Sequence, residues 1–351
     1  MKKAAALVFA LALARPAGAF IINGLAAQPG QLPQVVRVDL PGRGLCSGTL
    51  VGPDTVLTAA HCLAALGVDP DKPGAFVEFS GQAGKVAVIQ ALMPAFSWSR
   101  VHSFIQELDG LYKKINAGQD LSQEDQARAV QIFAGLMGQE RHDIALLKLA
   151  PGAAAGVAPM PVLLHAKSAD AVGANVTIAG YGCANLMLGG WGIKRTGSNR
   201  VLAFGKGLFF LAGARQAPIH FFFHASLDNP IEIKRVPDGN RASAAEGDSG
   251  GPLIEKSYVI GVGDDTSSYD DGLLRAFNAA LGKNSGADTS DQLSWYASLS
   301  DPDNARFLKD AARAGYRIDW ADIPASARAS RVNVSAARFS SILGQISAFN
   351  P

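Results

Sequence analysis

The chain has 351 residues, 48% of them hydrophobic, and a formal net charge of +2. That length and apolar share fit two globular domains with a sizeable core. The near-neutral balance, with basic residues scattered rather than patched, leaves no electrostatic basis for a nucleic-acid partner.

The first residues read as an export signal. Met1-Lys2-Lys3 gives a positive start, residues 4–14 are a short apolar run, and Ala17-Gly18-Ala19 fits a small-residue cleavage site. Cleavage after Ala14 satisfies the same rule, so both sites stay open. The run is too short for a stable membrane anchor. Residues 1–19 are therefore assigned to a signal peptide of bacterial appearance, and the remainder to a soluble protein that is secreted or periplasmic.

Residues 34–40 are β-branched and partly alternating, and Pro41-Gly42 breaks them. Residues 47–51 and 55–60 follow as strands around Gly52-Pro53-Asp54, flanked by Cys46 and Cys62, with His61 at the end of the second. From about 98 to 138 the pattern changes. Ile105, Leu108, Leu111, Tyr112 and Ile115 recur at helical spacing, and Ser122 caps a second apolar helical stretch. This hairpin reads as an insertion packing its apolar face on the first domain rather than as a lid. His142-Asp143 opens an alternating run to Leu149. The Gly, Ala and Pro of residues 151–161 then form a crossing between a first domain at 20–150 and a second at 151–315.

In the second domain, residues 175–180 read as a strand ending in Tyr181-Gly182, with further strands at 195–201, 208–212 and 219–225. Phe221-Phe222-Phe223 is expected in its core. Gly247-Asp248-Ser249-Gly250-Gly251-Pro252 is a run of turn formers whose small residues let a carbonyl approach the Ser249 hydroxyl. Residues 253–254 and 259–262 form the next hairpin, and 265–292 a long polar surface loop. Asp301-Pro302 starts a helix, with aspartate as N-cap and proline at the first helical position, which runs to about Gly315. Residues 316–351 extend beyond it with no assigned role. Cys183 lacks an evident mate, so a free thiol and an intermolecular bridge both stay open. Neither the three cysteines nor the six dispersed histidines have zinc-ligand spacing, so no metal and no cofactor is expected.

A serine becomes a nucleophile when a base takes its proton and donors hold the oxyanion that forms. The order His61, Asp143, Ser249, together with Ile21-Ile22-Asn23-Gly24, resembles the trypsin/chymotrypsin family of serine endopeptidases over roughly residues 21–315. The resemblance implies an all-β fold: two antiparallel six-stranded barrels, here with the inserted helical hairpin and a C-terminal helix. It implies Ser249 as nucleophile, His61 as general base and then acid, Asp143 as orienter, and the Gly247 and Ser249 amides as oxyanion hole. His142 is expected to point away, since neighbours in a strand face opposite sides. It also implies a Cys46–Cys62 disulfide. The freed amine of Ile21 would pair with Asp248 after a cut behind Phe20.

The substrate pocket departs from the family. Ser243 stands at the floor where trypsin-like members carry aspartate, and Ala245 replaces a common pocket cysteine. An ungapped alignment from Gly261 places Asp264 where a small serine is usual and Thr266 where a wall glycine is usual. A neutral floor implies cleavage of a polypeptide after uncharged side chains. A catalytically silent homologue that binds rather than cleaves is the alternative.

Overall fold

The structure, a computed structural model, describes residues 24–41, 44–64, 68–94, 141–182, 192–201, 203–205, 207–212, 219–221, 231–233, 242, 244, 247–268 and 292–321, with scattered positions between 103 and 132. The short strand β1 (Leu25–Ala26) precedes six that close an antiparallel barrel. These are β2 (Val35–Leu40), β3 (Gly44–Gly52), β4 (Thr55–Thr58), β5 (Phe76–Phe79), β6 (Val86–Leu92) and β7 (Ala145–Leu149). In β5 the buried positions alternate with half-buried ones, the signature of one wet face. All four residues of β4 are buried, because one continuous core joins Val56 and Leu57 to Ile254, Val259 and Val262 of the second body.

That second body begins with β8 (Asn175–Gly180), β9 (Arg195–Arg200), β10 (Ala203–Gly205) and β11 (Leu208–Ala212). Next, β12 (Ile219–Phe221) and β13 (Ile231–Ile233) form a separate two-stranded ribbon, so this expected strand lies outside the main sheet. The body is completed by β14 (Pro252–Glu255), β15 (Tyr258–Ser268) and β16 (Gln292–Ser298). Its strand order is β1-β9-β8-β14-β15-β16-β11-β10, all antiparallel. Six strands are thus flanked by short β1 and β10, giving eight where six were expected. Residues 265–268, expected in a loop, instead extend β15 by pairing with β16.

Between β6 and β7 in the chain, the described positions from 103 to 132 are largely helical. The Asp125 amide donates to Ser122 Oγ at 3.1 Å, the expected cap. Arg128 reaches back to Glu107 at 2.6 Å and Lys114 to Asp125 at 2.7 Å, while Leu111 and Ile132 are buried. The helix Pro302–Arg313 starts as read, with Asp301 Oδ1 accepting the Asp303 amide at 3.0 Å.

Beyond that helix the chain turns back onto both bodies. The Asp319 amide donates to Val51 of β3 at 2.7 Å, and the Val162 amide to Asp319 at 2.7 Å. Gly52 meets this segment so closely that a Cβ there would lie 1.7 Å from the Arg317 carbonyl oxygen. Buried Asp54, in the β3–β4 turn, accepts from Lys148 Nζ at 3.2 Å and from Arg317 Nη2 at 2.5 Å. Burial of Asp54 works to raise its pKa, but the hydrogen bonds and charges of Arg317 and Lys148 prevail and hold it below the usual carboxylate range.

A carboxylate whose folded pKa is depressed contributes stability that is complete above its unfolded pKa, about 3.9, and is lost as pH falls through the folded value. Asp54→Asn should therefore melt several degrees lower than the parent near neutral pH. The two proteins should converge as pH drops through the folded pKa of Asp54. Differential scanning calorimetry across an acid titration checks both.

Candidate active site

Three segments converge between the two bodies. His61 opens a one-turn helix, His61–Ala64, separated from the end of β4 by two residues, where its backbone amide has no intrahelical partner. Asp143, buried two residues ahead of β7, supplies one: its Oδ1 accepts the His61 amide at 2.6 Å. Its Oδ2 lies 2.5 Å from His61 Nδ1. One carboxylate thus holds both the backbone and the ring. A carboxylate only accepts, so Nδ1 carries the proton and Nε2 presents its lone pair.

Ser249 follows Gly247 and Asp248 in a turn that leads into β14. Gly247 and Gly250 have φ of +87° and +83°, the left-handed region that glycine enters at no steric cost. At Gly250 a Cβ would lie 2.2 Å from both the Ser47 carbonyl oxygen and Thr58 Oγ1. The turn therefore presses its backbone against β3 and β4. Its contacts there are specific: the Ser47 amide donates to the Ser249 carbonyl at 2.8 Å, and the Ser47 hydroxyl to the Gly247 carbonyl at 3.0 Å. On the other side, the Gly250 amide donates to Gly263 of β15 at 2.7 Å.

The disulfide between Cys46 and Cys62 joins β3 to the residue after His61, with an S–S distance of 2.05 Å. Cys62 Sγ lies 3.8 Å from His61 Nε2 and 3.8 Å from the Ser249 carbonyl oxygen. A disulfide sulfur has no proton to donate, so these are packing contacts that bring the histidine and serine segments against one atom.

Asp248 is buried, and its Oδ1 accepts the Gly182 amide at 2.8 Å. A Cβ on Gly180 would lie 2.2 Å from that oxygen, so β8 must end in glycine for the acid to seat. Tyr296 is pushed well above the usual tyrosine pKa, by burial first and by the Asp248 charge second. His142 is buried beside Arg141 and the start of the C-terminal helix. Its Nε2 accepts from Arg141 Nε at 2.7 Å, and burial, then the Arg141 charge, lowers its pKa.

The other residues read from the sequence are placed less fully. Ile21, the proposed partner of Asp248, and Ser243 lie outside the described residues, as do Ala245, Phe20 and Cys183. Asp264 is the extra residue in a β-bulge: Gly263 pairs with Tyr296 and Asp265 with Trp295, leaving Asp264 between them. Thr266 pairs with Ser294. Among the described residues, two groupings bring histidine, cysteine or carboxylate atoms within 4.8 Å. In Cys46, His61 and Cys62 the sulfurs are bonded to each other. In His142, Asp301 and Asp303 the imidazole nitrogen already accepts from Arg141. Ser47 is the contributor that sequence reading missed. Its place beside Cys46 becomes informative only once the partner of that cysteine is known to follow His61.

Residues 46–262 match the family described as trypsin-like peptidase domain. A stretch of 42 residues is 55% identical to human serine protease 56, covering 12% of this chain and 7% of that protein. Another of 54 residues is 44% identical to mouse mannan-binding lectin serine protease 1, covering 15% and 8%. The chain thus aligns with less than a tenth of the length of these curated relatives. Among solved structures, an inactivated protease paralogue from the scabies mite covers 85% of this chain and 99% of its own. Its TM-score of 0.50 at 13% identity is a likeness of fold.

Gly250→Ala should cost about 1–2 kcal/mol from the left-handed φ alone, with a further loss from the collision with Ser47 and Thr58. A chemical denaturation curve with a wild-type midpoint would show that the loop relaxes freely.

Proposed function

The chain belongs to the trypsin-like peptidase family, and from that premise we propose that it is an exported serine endopeptidase. The observation that carries the proposal is the doubly held His61–Asp143 pair, at 2.6 and 2.5 Å. It sits in one site with a serine turn braced by β3. In this reading His61 Nε2 takes the proton of Ser249 Oγ, which attacks the substrate carbonyl. The Gly247 and Ser249 amides hold the oxyanion, and His61 returns the proton to the leaving amine. Water then hydrolyses the acyl-enzyme by the same groups. Neither metal nor cofactor takes part.

Export rests on the signal-like residues 1–19 and is supported by the disulfide, a bond of oxidising compartments. No helix among the described residues is long and apolar enough to cross a membrane. Activation rests on Asp248, a buried acid whose proposed partner is the amine of Ile21, freed by a cut after Phe20. The second reading is a silent homologue that binds polypeptides. It draws on the scabies mite protein, which is described as inactivated and shares the fold, since fold alone does not carry activity.

A fluorophosphonate probe separates the two. Protein whose N-terminus reads Ile-Ile-Asn-Gly should label at Ser249. Ser249→Ala and His61→Ala should each leave only residual peptide hydrolysis of about 10³–10⁴ over water. Failure of the processed protein to label would favour the binding reading.

With Ser243 at the pocket floor, cleavage should follow uncharged side chains. Methylene-sized differences discriminate by only about 1–3 kcal/mol, so the preference should be broad. A peptide-library profile dominated by cuts after arginine would overturn it, and would turn attention to the acids Asp264 and Asp265.

A further inference from the structure

Ser47 is wholly buried, and its backbone and hydroxyl all bond to the site or its supports. Its amide donates to the Ser249 carbonyl at 2.8 Å, and its carbonyl accepts from Thr58 Oγ1 at 2.7 Å on the strand that delivers His61. Its hydroxyl accepts from the Tyr181 amide at 2.9 Å and donates to the Gly247 carbonyl at 3.0 Å. The Tyr181 amide offers only a proton. It therefore fixes the hydroxyl as acceptor on that side, leaving its proton for Gly247.

From this we infer that Ser47 is a positioning residue for the oxyanion hole, an inference that rests on the endopeptidase reading. The loop from Gly247 to Gly251 is glycine-rich, with two left-handed glycines, and such backbone has little stiffness of its own. Ser47 grips it at two carbonyls, on Gly247 and on Ser249, one either side of Asp248. Those two residues are the ones whose amides hold the oxyanion. Fixing their carbonyls restricts rotation of the peptide planes between them, one of which carries the Ser249 amide, and holds in place the Gly247 residue whose own amide is the second donor. The grip comes from β3 of a closed barrel, pinned by the disulfide at Cys46. Donors aimed in advance stabilise a transition state without reorganising during the reaction.

Misaimed donors weaken transition-state binding more than substrate binding. Ser47→Ala should therefore lower kcat for a peptide substrate by about 10-fold or more, with KM within about twofold. Affinity for a peptide boronic acid, which forms a tetrahedral adduct on the serine, should fall by a similar factor. Ser47→Thr keeps the hydroxyl and should restore most of both. A purely structural role would lower the melting temperature without separating kcat from KM. If alanine does not fold, Ser47→Gly leaves room for a water against the two buried groups, and the same split is expected of it.

Wild-type kcat and boronate affinity in a folded hydroxyl-less variant, alongside fluorophosphonate labelling of the parent, overturn the inference alone. A processed parent that does not label overturns the endopeptidase reading, and this inference with it.

Discussion

The hydrogen bond from the Ser47 amide to the Ser249 carbonyl crosses from one β body to the other, and the geometry of the site depends on that crossing. His61 and Asp143 belong to the closed barrel, while Ser249 belongs to the turn feeding the second sheet. Groups on separate bodies hold fixed distances only if the bodies cannot slide. Close approach supplies the resistance: a Cβ on Gly250 would lie 2.2 Å from Ser47 and Thr58, and one on Gly180 would lie 3.0 Å from Ser47 Oγ. Bodies packed at that density resist displacement.

Each segment of the candidate site is tied on more than one side. The serine turn is held by Ser47 in front and Gly263 behind. The histidine is held by the Asp143 carboxylate and by the disulfide on the residue after it. The aspartate segment is held from the C-terminal helix, where buried Asn304 donates to the Arg141 carbonyl at 2.6 Å and to the Ser298 carbonyl at 2.8 Å. Asn304 thereby links the end of β16 to the turn that precedes Asp143.

Much of this was legible in the sequence where local chemistry decides. The stretch 175–180 is β8, 208–212 is β11, and Asp301-Pro302 does start a helix, because alternation and capping are set by near neighbours. The pairing of Cys46 with Cys62 followed from the family resemblance and is present. What escaped is set by distant partners. Residues 265–268 are polar and look like loop, yet they extend β15 because β16 supplies a hydrogen-bonding edge. The stretch 316–321 carries no strong periodicity, and its place is fixed by backbone contacts to Val51 and Val162. Ser47 looked like one more strand residue, since nothing local marks a hydroxyl whose acceptor lies 200 residues away.

The adjacent pair His142 and Asp143, in the turn that leads into β7, shows how neighbours meet different surroundings. Asp143 faces His61, and the carboxylate accepts two donors there. His142 faces Arg141 and the start of the C-terminal helix, where burial and the guanidinium disfavour a charged ring. A neutral His142 can accept the hydrogen bond from Arg141 Nε without placing a second positive charge beside it. The Arg141 carbonyl separately accepts from Asn304. The same residue pair thus faces His61 on one side and anchorage on the other. The anchorage keeps Asp143 within reach of both the amide and the ring of His61.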